Sequence, residues 1–202
     1  MPERPVIEYF YSAHSAYAYL GAWELARIAQ AADAAVVHRP FDFRPVIEAA
    51  GGQPIAERTQ AYMDYFFGRE LIRWAEVRGL PILDFRPTHH DNPLHLANGA
   101  IIAAGDAADR FSRAVLQAHW RDDADIADPE VLAGLAVAEG LEAEALLAAA
   151  ASDAMQAQHA ANTTEAIARG VFGSPTYFVG GDMFYGQDRL MMVARALERP
   201  FA

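Results

Sequence analysis

Apolar positions recur along this chain with two different periods, and the changes of period divide it. Pro5 to Tyr11 is rich in apolar and aromatic residues and stops at Ser12-Ala13-His14-Ser15, which predicts a strand ending in a turn. With Ser15 or a neighbour as N-cap, the spacing of Tyr19, Leu20, Trp23, Leu25, Ala26 and Ile28 predicts a helix to about Ala32. Ala35 to Phe43 predicts a second strand, and the β-α-β unit implies parallel strands with a right-handed crossover. Gly51-Gly52-Gln53-Pro54 is a break. From Pro54 to Gln158 the period is helical, with segments over 56–78, 93–105, 107–121, 129–139 and 142–151. Asp128-Pro129-Glu130 marks one start, with an N-cap aspartate, proline at the first helical position and an acid in the first turn. A further helix runs from about Ser152 to Arg169 and stops at Gly170. Short strands at Thr176 to Val179 and Met183 to Tyr185 flank Gly180-Gly181-Asp182, a hairpin signal, and a helix follows from about Gln187 to Glu198.

The element order is β-α-β, then helices, then α-β-β-α. That is an α/β chain with a thioredoxin-like sheet whose halves are separated by a large all-helical insertion. The expected division is a discontinuous thioredoxin-like domain, residues 1–48 and 160–202, and an insertion, residues 49–159.

Composition narrows the chemistry. Of 202 residues just over half are apolar, with charge enough to cover a surface, which predicts a soluble globular protein. No apolar run reaches the roughly 18 residues of a membrane span. The N-terminus enters a strand-like run without a basic start and apolar stretch, which argues against a signal peptide and for the cytoplasm. A net charge of −11 with no basic stripe argues against nucleic acid. The chain has no cysteine, which excludes disulfides, thiolate metal sites, a cysteine nucleophile and a CxxC redox centre. Chemistry that needs a thiol must import it.

Two segments carry a resemblance. Tyr9 to Leu20, YFYSAHSAYAYL, has an aromatic strand running into a turn with Ser15 and a closing Tyr19-Leu20 pair. Val171 to Leu190, VFGSPTYFVGGDMFYGQDRL, joins a proline turn, a hairpin and a helix start. Between them lie Leu71-Ile72-Arg73-Trp74-Ala75, Gly79-Leu80-Pro81 and Asn92. Together these resemble the 2-hydroxychromene-2-carboxylate isomerases and kappa-class glutathione transferases, a group with a DsbA-like thioredoxin fold. The chain departs from the family pattern at Ser12, where the family has aspartate, at Ala16, where it has proline, and at Glu70. A family lysine in the first inserted helix has no counterpart at Thr59 or Met63.

The resemblance implies a glutathione-dependent isomerase of an unsaturated aromatic or cyclic carboxylate, with a kappa-like transferase or peroxidase and a non-catalytic thioredoxin-fold binding protein as alternatives; it implies glutathione as cofactor, a homodimer and a small carboxylate substrate, with neither nucleic acid nor membrane as partner. Ser15 would be the catalytic residue, its hydroxyl stabilising the glutathione thiolate; read from the sequence alone, it is equally an N-cap. Pro175 would be cis and would expose the backbone of Ser174 for strand-like pairing with the cysteinyl part. Tyr185, Gly186, Gln187 and Asp188 would form the glutathione-binding turn. There Gln187 would offer an amide to the α-carboxylate and Asp188 would accept from the ammonium. Asn92, Arg44 and Arg73 are the candidate substrate residues, with Arg86 a further cation. Tyr17, Phe66 and Trp74 could form an aromatic wall, though helix-spaced aromatics also serve cores. His89, His90 and His95 read as a polar loop that could line the substrate cleft rather than as a metal set. The acidic set Asp122, Asp123, Asp125 and Asp128 lacks calcium-loop spacing and reads as a solvated loop.

Overall fold

A computed structural model describes residues 4–54 and 57–202. Strand β1 (Val6–Tyr11) leads into helix α1 (Ala16–Ala31) and strand β2 (Ala35–Pro40), which lies parallel to β1. At the other end of the chain β3 (Thr176–Val179) and β4 (Asp182–Tyr185) form an antiparallel hairpin. Gly180 and Gly181 both have positive φ, 59° and 88°, as the tight turn of a twisted hairpin requires. Strand β3 pairs antiparallel with β1, giving one sheet in the order β2-β1-β3-β4.

Alternation along β1 sets the two faces of this sheet. Ile7, Tyr9 and Tyr11 point into the main core, where Tyr9 stacks on Tyr11 at 4.0 Å and on Tyr177 at 5.2 Å. Phe10 points the other way, into a smaller cluster with Phe41, Val46, Val171 and Phe178.

Helix α2 (Phe43–Ala49) follows β2. The strand expected to reach Phe43 therefore stops at Pro40. The Pro40 carbonyl accepts from Asn162 Nδ2 (3.1 Å), and the Asp42 N–H donates to Thr163 Oγ1 (3.0 Å). Phe41 and Phe43 keep an alternating pattern past that point, but tertiary partners have already taken the backbone. The expected helix over 56–78 begins at Ala56, which lies outside the described residues. Its described part is α3 (Gln60–Asp64), a π turn at Tyr65–Arg69, and α4 (Glu70–Arg78), ended by Gly79 at φ 65°. Helices α5 (His95–Ala103), α6 (Ala108–Trp120), α7 (Pro129–Ala138), α8 (Ala143–Ala150) and α9 (Asp153–Ala168) match the expected segments to within a turn. Asp128 caps α7 and Ser152 caps α9. Helix α9 runs unbroken through 159/160, where the sequence expectation places the end of the insertion. The last expected helix splits into a 3₁₀ turn, Gln187–Arg189, and α10 (Leu190–Glu198).

Candidate active site

The turn between β1 and α1 is held from three sides. The Ser12 N–H donates to Ser174 Oγ (3.1 Å), in the loop before β3. The Ala13 N–H donates to Asn98 Oδ1 (3.2 Å), a buried side chain on α5. Trp120 Nε1, at the end of α6, donates to the His14 carbonyl (2.9 Å). Ser15 thus sits at a fixed strand-to-helix turn. Its Oγ accepts from the Ala18 N–H (3.2 Å), so it is the N-cap of α1, and it donates to the Ser174 carbonyl (3.2 Å). The Ser174–Pro175 bond is cis, as expected. Among the described residues the Ser174 N–H has no hydrogen-bond partner.

A cleft opens over this turn. One wall comes from the sheet half: His14, Ser15, Tyr17, Phe172, Ser174 and Tyr185. Tyr185 packs on Gly173, where a Cβ would lie 2.1 Å from its ring. The facing wall comes from α2, the turn before α3, α3, the π turn and the loop before α5: Phe43, Ile47, Arg58, Tyr62, Phe66, Phe67 and His90, closed by Trp120. Tyr62 and Phe66 meet at 4.4 Å, and Tyr17 Oη donates to the Phe66 carbonyl (2.7 Å). The chain contains no lysine, and Arg58 is the cation lining this cleft among the described residues. It lies over the Tyr62 ring at 5.0 Å and donates to Tyr62 Oη (3.3 Å) and the Gln53 carbonyl (3.1 Å). Another hollow, about 250 Å³, is lined by Ala49, Ala50, Ile167, Gly170, Val171 and Phe172; it offers no side chain for chemistry.

The structure brings together Ser15, Ser174 and Tyr185, with Tyr17 and Phe66 in the walls. It does not bring Gln187 to the cleft. That side chain is 1% exposed and turned under α1, its Oε1 accepting from Arg78 Nη2 (2.8 Å) and Nε (3.1 Å). Asp188 is half-buried and pairs with its neighbour Arg189; it lies near enough to Tyr185 to help burial raise that phenol's pKa. Gly186, at φ 97°, shapes the turn between them. The substrate candidates fall elsewhere. Arg73 pairs with Glu70 (2.7 Å) on the outer face of α4, and Arg86 pairs with Asp91 (2.8 Å). Asn92 Nδ2 donates to Asp125 (2.8 Å), Arg44 is exposed on α2 outside the lining, and Trp74 packs against the core. Arg58, Tyr62 and Phe67 carry no local signal and enter only through tertiary packing, while His14 and Phe172 lie inside the two quoted segments without having been singled out for the site.

Burial holds three imidazoles here in the neutral state. It lowers His14 to about 4, with His119 and Arg86 adding to the effect, and His90 to about 3. His119 is likewise held down to about 4 by burial, against the pull of a hydrogen bond to the Ala124 backbone and of Asp123 and Asp125. Among the described residues no three side chains are arranged for a metal ion.

Comparison with known proteins places these features in context. Residues 6–198 match the DsbA-like thioredoxin domain family. The chain is 31% identical to 2-hydroxychromene-2-carboxylate isomerase of Sphingobium xenophagum over 185 residues, 91% of this chain and 93% of that protein. The solved structure of a 2-hydroxychromene-2-carboxylate isomerase superposes with a TM-score of 0.80 at 24% identity, covering 96% of this chain and 95% of that one. The cytosolic disulfide reductase DsbM of Pseudomonas aeruginosa, solved with GSH, superposes with a TM-score of 0.64 at 19% identity, over 96% of this chain and 93% of that one.

Proposed function

This chain belongs to the DsbA-like thioredoxin family and, within it, to the 2-hydroxychromene-2-carboxylate isomerases; from that premise we propose that it isomerises an unsaturated aromatic or cyclic carboxylate with glutathione as its thiol. The observation that carries the reading is the contact of Ser15 Oγ with the Ser174 carbonyl at the floor of an aromatic cleft in a chain without cysteine.

The residues present fit a cysteinyl peptide. Among the described residues Ser174 has an unpartnered N–H and a carbonyl engaged only by a side chain, the two groups an extended peptide pairs with. A cysteinyl N–H would compete for that carbonyl and free the Ser15 hydroxyl to donate to sulfur. Bound glutathione would supply a thiolate that adds to a conjugated carbon and leaves again after rotation about the former double bond. A hydrogen bond to a charged group is worth about 1.5–3 kcal/mol, so Ser15 would lower a thiol pKa of about 8.5 by roughly one to two units. Ser15 also keeps the Ala18 N–H satisfied, so α1 is capped whether or not its proton faces sulfur. Arg58 replaces the missing lysine as cation for a substrate carboxylate, and Tyr62 and Phe66 would hold the ring. Asp188, half-buried near Tyr185, would accept from the glutathione ammonium. The DsbM neighbour, solved with GSH, supports glutathione as a ligand of this fold. A cytoplasmic setting, where glutathione stays reduced, and a homodimer belong to the same reading.

The test is to incubate the protein with glutathione and a panel of conjugated carboxylates, following isomer ratio by absorbance and free thiol by titration. Isomers should equilibrate while thiol stays constant. Stoichiometric loss of thiol would instead mark a transferase, and turnover without glutathione would overturn the reading.

A further inference from the structure

Behind the active turn lie two buried polar side chains, Asn98 on α5 and His159 on α9, 1% and 5% exposed. Asn98 stands between the turn and α9. Its Oδ1 takes the Ala13 N–H (3.2 Å), and its Nδ2 lies 3.1 Å from His159 Nε2. The His159 ring also hydrogen-bonds to the backbone of Phe41, whose N–H in turn donates to the Tyr11 carbonyl (2.9 Å).

These contacts have one consistent direction. A backbone N–H can only donate, so Ala13 fixes the oxygen of the Asn98 amide towards the turn. The amide NH2 then faces His159, and His159 Nε2 must accept. The His159 proton is therefore on Nδ1. Because the Phe41 N–H is already engaged with Tyr11, the Phe41 carbonyl is what receives that proton. Donation thus passes from Ala13 to Asn98, to His159, to Phe41 and on to Tyr11. The path begins one residue after Ser12 and ends one residue before it, and bonds in such a chain strengthen one another.

We propose that Asn98 and His159 are positioning residues for the thiol chemistry: through this one-way chain they clamp the turn that presents Ser15, and they do so only while His159 is neutral. The effect on sulfur rests on the glutathione-dependent reading; the clamp itself does not. A proton on Nε2 would meet the Asn98 NH2, donor against donor. Turning the amide would relieve that contact but set the NH2 against the Ala13 N–H. Either arrangement leaves a buried donor without an acceptor, and the turn loses one of its three ties. Burial lowers the His159 pKa; Asp42 before α2 pulls against it, His95 at the start of α5 adds to it, and the Phe41 contact opposes it. Among the described residues these are the groups that act on the ring. The clamp is closed at neutral pH and opens as pH falls through the lowered His159 value.

The tautomer, the Ala13 amide and the thiol are read separately. Nitrogen NMR should show His159 protonated at Nδ1 alone. Ala13 should be protected from hydrogen exchange at neutral pH, and that protection should fall about tenfold or more once His159 is protonated. His159→Gln, whose side-chain oxygen can accept from Asn98 without titrating, should keep the protection and lose its pH dependence. Asn98→Leu should lose the protection at every pH and raise the pKa of bound glutathione thiol by about half a unit or more. Asn98→Asp should keep an acceptor for Ala13 and draw a proton onto His159 Nε2, so that protection survives acid. Thermal melts verify folding. An Nε2–H tautomer in the wild type, or unaltered pH dependence of Ala13 protection in folded His159→Gln, would overturn the clamp. An unmoved thiol pKa in folded Asn98→Leu would overturn its positioning role. A wild type with the expected Ala13 behaviour that binds no glutathione would overturn the isomerase reading and leave the clamp standing.

Discussion

Single side chains here carry more than one duty, and Ser15 is the plainest example. Its oxygen caps α1 while its proton rests on Ser174. Ser15→Ala should therefore cost about 1 kcal/mol of stability and raise the bound glutathione thiol pKa by a unit or more. A urea titration and thiolate absorbance against pH check the two parts separately. His38 gives a prediction of another kind. Burial lowers it to about 4 from an ordinary 6.5, with Arg113 adding, so the unfolded chain takes up a proton that the folded one refuses. Stability is complete above about pH 6.5 and falls as pH drops towards 4. His38→Gln should flatten that fall by on the order of 3 kcal/mol, measured by denaturant midpoints at pH 7 and pH 4. Ser15, Ser174, Pro175 and Tyr185 came from the two segments that carry the family resemblance, and the structure gathers Ser15, Ser174 and Tyr185 along one cleft. Arg58 was not legible in the sequence, because only tertiary packing brings the turn before α3 to that cleft. Gln187 misled for a definite reason. A helix start presents residues both outward and inward, and the 3₁₀ turn rotates this one under α1.

Among the elements, close approach and register matter most. Helix α1 crosses the start of α10 at Gly21, where a Cβ would lie 2.7 Å from the Gln187 Cβ. Gly21→Ala should destabilise by about 1–3 kcal/mol through overpacking. Gly134→Ala, on α7 with open space about it, should be neutral or stabilising by up to about 1 kcal/mol. Thermal melts of the two variants compare a crowded glycine with a free one. Helical periodicity made α5 to α9 readable, and the glycine pair made the β3–β4 hairpin readable. The π turn at Tyr65–Arg69 was not readable, since an extra residue in a helical turn leaves the apolar pattern helical while shifting its phase. Deleting Gly68, whose surroundings are open, should restore an α register and turn Tyr62 away from α4 by about 100°. Retained far-UV ellipticity with lost binding of an aromatic carboxylate would be the signature.

At the scale of the whole molecule, one core serves both halves. Ile7, Leu25, Tyr177 and Val193 belong to the same cluster as Leu71, Ile101, Phe111 and Leu132. Unfolding should be a single cooperative transition, coincident in near- and far-UV circular dichroism; two separated steps would show an insertion that folds by itself. The cleft divides differently from the core. The stretches that hold the thiol side of the site, 14–17 and 172–185, share no residue with those that face it, 43–67 and 90. Heritable change can therefore act on the two walls separately. Descendants that exchange residues 57–67 would acquire new substrates while keeping the ancestral thiol acidity, so a lineage could diversify its chemistry on one side of the cleft and preserve its nucleophile on the other.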